Sequence, residues 1–259
     1  MRVIDSLSYP GKTINEDCLI ITDKCIAVLD GSSGLGGSDF GAEQFVTEFR
    51  SRFIECIEDG MSLTDSVNSV ISNIKQRMFI DPSAIPPSAS GLFVYEDDDS
   101  VDILNIGDCT GYLYTNSGII RVFSDEVSRF DQQVINSMLF EREKTGKNII
   151  DIVAQDNIQQ MLMDNRRRMN APDGYRILSV NMSPVSDSDI VSYDKSTIDE
   201  IVLFSDGFMA KEEELKSQNR DLEALYKSLR TREREDPFFN KHPRFKMSDD
   251  ASAIVIKIQ

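Results

Sequence analysis

Two apolar runs in this chain stop at an Asp-Gly pair. Cys25-Ile-Ala-Val-Leu-Asp-Gly31 is the first, and Ile201-Val-Leu-Phe-Ser-Asp-Gly207 is the second. A third run, Ala253 to Ile258, is preceded by Asp249-Asp250. A buried strand that ends in a turn delivers one carboxylate to the rim of a sheet in this way. Asp30, Asp206 and Asp249 would then be hard oxygen donors of the kind Mg²⁺ and Mn²⁺ prefer. Gly31 lets a backbone carbonyl approach closely, and Glu16 and Asp17 precede a neighbouring strand. Two such ions about 3.5–4 Å apart hold a phosphoryl group and lower the pKa of a bridging water, which attacks in line without a protein nucleophile. One Asp-Gly pair alone ordinarily makes a turn and nothing more. Three separated strand ends, each carrying an aspartate, argue for a gathered site.

The elements that must position these residues can be read from periodicity. Strands are expected at Val3–Leu7, Cys18–Ile21 and Cys25–Leu29, with the tight turn Asp23-Lys24 making the last two a hairpin. Phe45, Val46, Phe49, Phe53 and Ile57 recur at helical spacing. A second helix is expected from Leu63 to Phe79, capped by Ser62 and stopped by Asp81-Pro82 and Pro86-Pro87. Ala89–Tyr95, Val101–Ile106, Gly111–Thr115 and Ile119–Phe123 read as a meander. Residues 129–168 are polar and helical in pattern, and Arg166-Arg-Arg168 reads as a solvated helix end. Tyr175–Asn181 and Ile198–Phe204 return to strand, 212–236 is helical and charged, and Ser252–Ile258 closes the chain. Segregated runs of strands and helices predict an α+β class with helices covering antiparallel sheets. No linker stands out, so one domain over 1–259 is expected.

Composition excludes several functions. The chain has 259 residues, 28 Lys and Arg against 44 Asp and Glu, and a net charge of −16. A generic nucleic-acid partner needs a basic face and is disfavoured. No 18-residue apolar run and no signal peptide are visible, so no membrane span and a cytoplasmic location are expected. Cys18, Cys25, Cys56 and Cys109 form no Cys-x-x-Cys pair and read as free thiols. His242 is the only histidine, which argues against zinc. Gly31 to Gly37 lacks both a P-loop ending and Gly-x-Gly-x-x-Gly, so a nucleotide cradle is not indicated.

In this order, the motifs resemble the metal-dependent protein phosphatases of the type 2C (PPM) class. Lys12–Asp17 is similar to that family's Arg-x-x-x-Glu-Asp element, and Ala27–Gly31 to its Asp-Gly-His-Gly-Gly strand end. Ser90-Gly91 sits at its small-residue strand. Asn105-Ile-Gly-Asp-Cys109 is similar to its Asn-x-Gly-Asp hairpin, Leu203–Gly207 to its Thr-Asp-Gly element, and Asp249–Ser252 to its closing Asp-[Asn/Asp]-x-[Ser/Thr]. The resemblance implies an αββα sandwich, two Mn²⁺ or Mg²⁺ ions with a third in some members, and a phosphoserine/phosphothreonine protein substrate. By position it implies that Asp30 bridges both metals and Gly31 contributes its carbonyl. Asp206 and Asp249 bind one ion, Glu16 supports the other, Asp17 orients the cluster, and Asp108 serves the third ion. A monomer is expected.

Two departures bear on catalysis. Lys12 stands where the family has a phosphate-gripping arginine, and lysine lacks the bidentate fork. Ser32-Ser33 replaces His-Gly, removing a general acid worth on the order of 10²-fold or more for a poor leaving group. They keep open a second reading, a phosphatase-like binding domain with weak turnover. A third is a haloacid-dehalogenase-type phosphatase acting through a phospho-aspartate at Asp30. That class needs a second aspartate at position 32 and a parallel sheet.

Overall fold

In the computed structural model, the chain is described at residues 1–34, 41–77, 84–208, 210, 212–217 and 220–258. The far end of the glycine segment, the expected helix end at Phe79 and its Asp81-Pro82 stop lie outside the described residues.

Two five-stranded antiparallel sheets pack face to face. One has the order β1-β10-β9-β6-β7, formed by Arg2–Tyr9, Ala251–Lys257, Ile198–Phe204, Thr110–Thr115 and Gly118–Val122. The other has the order β2-β3-β4-β5-β8, formed by Asp17–Ile21, Cys25–Ser32, Ser88–Glu96, Ser100–Ile106 and Ile190–Asp194. Every ladder in both sheets is antiparallel, which removes the parallel sheet that a haloacid-dehalogenase reading requires.

The apolar run of β3 is continuous because both of its faces are buried. Ile26 and Val28 point between the sheets, against Leu92, Val94, Leu203, Ile254 and Ile256. Ala27 and Leu29 point the other way, under α1 (Ala42–Glu58) and α2 (Leu63–Arg77). The i, i+4 phenylalanines of α1 supply that contact, with Phe53 5.3 Å from Phe93 by ring centroids. Ser62 caps α2, its Oγ accepting the Asp65 N–H at 3.1 Å. On the outer face of the other sheet, Val202, Phe204 and Val255 meet Leu222 and Leu225 of α7 (Leu222–Arg234), beyond the short α6 (Glu212–Ser217). The layers are therefore helix, sheet, sheet, helix.

Three further helices, α3 (Glu126–Thr145), α4 (Ile149–Val153) and α5 (Asp156–Arg167), form their own apolar cluster with Phe239. Residues 175–181 are not the expected strand. They make only the isolated bridges Met169–Tyr175 and Ala89–Leu178, because Arg176, Ile177 and Asn181 are held by side-chain bonds instead. The edge strand β8 lacks a clear apolar alternation and was not anticipated. No described helix is long and apolar enough to cross a membrane.

Candidate metal centre

The strand ends converge. Register places Asp30 opposite Asp17 on one side and Ser90 on the other. Beyond the end of β9, the Asp206 N–H points at Asp30 Oδ2 at 3.4 Å. Gly107 has φ +94°, a conformation L side chains rarely adopt, and its turn sets Asp108 against Ser90 Oγ at 2.6 Å. Gly207 lies so close to the Asp250 carbonyl that an added Cβ would sit 1.8 Å from it, which clamps the β9 and β10 ends together.

Asp250 organises the N-terminal loop rather than facing the cluster. Its carboxylate accepts the Gly11 N–H at 2.7 Å and the Glu16 N–H at 2.6 Å. The Gly31 N–H donates to the Glu16 carbonyl at 3.0 Å, so Glu16 and Gly31 are held side by side. Ser205 donates to Asp17 Oδ2 at 2.7 Å. Glu16 Oε1 accepts from the Ser33 hydroxyl.

The electrostatics of this corner are those of crowded, buried carboxylates. Burial, then Asp206, Asp17 and Asp108, raise the Asp30 pKa well above the ordinary range. Burial, then Asp108 and Asp249, push Asp206 to about 8. Burial pushes Asp17 to about 7, against the Ser205 and Ser252 hydrogen bonds. A dication at this corner would offset the charge that burial and mutual repulsion oppose.

Asp249 carries a stand-in cation. Its Oδ1 is paired with the ammonium of Lys246 and also accepts the Asp250 N–H at 2.9 Å. Burial opposes the charge on Lys246, yet Asp249, and then Asp206 and Asp30, hold its pKa above that of ordinary lysine. The donor set thus fits a hard divalent ion: carboxylates in excess of their counter-charge, one already holding a cation. Among the described residues, no three acidic, Cys or His side chains form a ready-made ligand shell.

Two residues at this corner were not singled out in the sequence as site residues. Arg166, at the end of α5, is not a solvated helix end. Its Nη1 donates to Ser32 Oγ, and its Nη2 donates to the carbonyls of Ser32 at 3.3 Å and Ser33 at 2.5 Å. Asp131 of α3 is pushed to about 6 by burial and then by Asp108, with Arg166 opposing. Both lie on helices whose sequence looks solvated, and only the packing of α3–α5 shows which face turns inward. Lys12 is exposed and, among the described residues, has no hydrogen-bond or ion-pair partner. His242 is exposed as well.

The profile of the protein phosphatase 2C family matches residues 14–249. The chain belongs to the protein phosphatase 2C family. Among solved structures, this phosphatase-2C chain is similar to the catalytic domain of the serine/threonine phosphatase PstP in complex with two manganese ions. That match has 15% identity and a TM-score of 0.56, over 97% of this chain and 95% of that one. It is similar to Stp1 from Staphylococcus aureus at 15% identity and TM-score 0.53, over 100% and 96%. It is also similar to the Mycobacterium tuberculosis phosphatase PstP/Ppp at 13% identity and TM-score 0.54, over 98% and 97%. At these identities the structural likeness speaks for the fold. No curated protein matches in sequence.

Proposed function

We propose that this family member hydrolyses phosphoserine and phosphothreonine in proteins, as one domain over 1–259. The observation that carries the reading is the meeting of Asp30 and Asp206 at the ends of strands from opposite sheets. Asp30 would bridge two Mn²⁺ or Mg²⁺ ions, with Asp206 and Asp249 on one, and the Gly31 carbonyl and Glu16 on the other. Asp108 would serve a third. When bound, such ions polarise phosphoryl oxygens and lower the pKa of a water. The rest is done by the chain. Asp250 fixes the loop that bears Glu16, and Ser205 anchors Asp17. The ladders of the two sheets and the close approach of Gly207 to Asp250 hold the strand ends together. The same proposal makes it a monomer in the cytoplasm acting on phosphoproteins, and the net charge of −16 disfavours a nucleic-acid partner.

The test is phosphate release from a phosphothreonine peptide with and without Mn²⁺. Activity should require the metal and be lost in Asp30→Asn and Asp206→Asn. Retained metal-dependent turnover in both variants refutes the assignment. A weakly active binding domain is the second reading, favoured by the exposed Lys12 and by Ser32. It predicts Mn²⁺ uptake by calorimetry without peptide hydrolysis.

A further inference from the structure

Among the described residues, Arg166 is the arginine that hydrogen-bonds to the end of β3. Three of its hydrogen bonds go to Ser32 and Ser33, the two residues immediately beyond the Asp30-Gly31 turn. Its Nε is buried and has no hydrogen-bond partner. No carboxylate among the described residues pairs with it, although neighbouring arginines on the same helix are paired: Arg167 with Asp164 and Arg168 with Asp173. Glu16 and Asp131 act on it electrostatically without forming an ion pair, and a guanidinium with a buried, unmatched N–H and no carboxylate in contact is incompletely satisfied. Arginine does not release its proton, so it cannot replace a missing acid; what it does well is bind a phosphate through its planar fork. The lysine at position 12 is exposed and lacks that fork.

We propose that Arg166 is the phosphate-binding cation of this site, supplied by α5 and gripping the phosphoryl group of the substrate at the end of β3. The inference rests on the hydrolase reading above for the identity of the substrate, but not for the binding of phosphate itself. The Ser32 and Ser33 carbonyls keep the guanidinium in place, and a bound dianion takes the remaining N–H donors. Charge-assisted bonds of this kind are worth about 10- to 100-fold in affinity.

The experiment is calorimetric titration of inorganic phosphate into the Mn²⁺-saturated protein, with folding of each variant checked by thermal melting. Arg166→Ala should weaken phosphate binding at least about 10-fold, and Arg166→Lys should restore part of it, because charge returns without the fork. Arg167→Ala, on an exposed and already paired side chain, should leave it unchanged. If Arg166→Ala does not fold, the Arg166→Lys and Arg166→Gln variants decide the matter by the same readout. Unchanged phosphate affinity overturns the proposal, even if Mn²⁺ binding is weakened, since that pattern marks a purely structural latch. A wild-type protein that binds no phosphate overturns it too. Peptide hydrolysis is measured separately: wild-type protein that binds phosphate but releases none from the peptide fails the hydrolase reading alone.

Discussion

Lys246 holds on to Asp249 while Asp206 and Asp30 draw on the same ammonium. A dication arriving at Asp249 must displace it, because a carboxylate cannot neutralise both at full strength. Lys246→Met should therefore bind Mn²⁺ more tightly, by about 10-fold if the lost competition is near 1.4 kcal/mol. Calorimetry checks this, and equal or weaker binding would show that the lysine is a bystander. The serine at position 32 has a separate kinetic signature. Without a general acid, rates should fall steeply as the leaving group becomes more basic, with aryl phosphates of acidic phenols outrunning the phosphopeptide by about 10²-fold or more. A flat dependence on leaving-group pKa across a phenyl phosphate series would mean that another donor serves. The sequence proposes Asp30, Gly31, Asp206, Asp249, Glu16 and Asp108 because each sits beside an apolar run or at a glycine turn, and the structure brings the Asp206 N–H to Asp30. Arg166 and Asp131 were not, because a charged residue on a charged helix carries no mark of the direction it faces.

Among the elements, the loop from Asp236 to Met247 stands apart for how it is held. The Asp236 carboxylate accepts backbone N–H groups from Asn240, Lys241 and His242 and pairs with Arg244 at 3.2 Å. The loop then seats Phe239 among α3, α4 and α5, while the Phe238 carbonyl takes the Ile150 N–H at 3.3 Å. Asp236→Ala strands three donors at once and should cost about 2 kcal/mol or more, read by urea unfolding. A change under about 0.5 kcal/mol would show that water replaces the carboxylate freely. The sequence revealed α1, α2 and the meander because their apolar periods are clean. It missed β8, whose edge position demands no alternation, and read 175–181 as a strand because an apolar run bound by side chains looks the same as one bound by a ladder. The turns within 129–168 and 212–236 were invisible for the same reason that Arg166 was: polar helices offer little period to interrupt.

At the scale of the whole molecule, the acidic corner sets how stability responds to pH. Asp206 and Asp17 rise to about 8 and about 7 on folding, mainly through burial. In the unfolded chain both return to about 3.9. Below that value both states are protonated and the shifts contribute nothing. Above it the folded protein keeps protons that the unfolded chain has lost, so stability falls as pH rises, with the full penalty present once pH passes about 8. The melting temperature of the chelator-treated protein should therefore drop between about pH 5 and pH 8, and Mn²⁺ should recover most of the loss at the alkaline end. A melting temperature that climbs over that range would mean the carboxylates are ionised and compensated without any ion.

The loop that buries Phe239 runs on, within the same stretch of backbone, to Asp249. That backbone ties the α3–α5 cluster to the mouth of β10. A clamp on those helices that shifts Phe239 would reel Asp249 in or pay it out, turning a grasp on the rim into a tug at the centre.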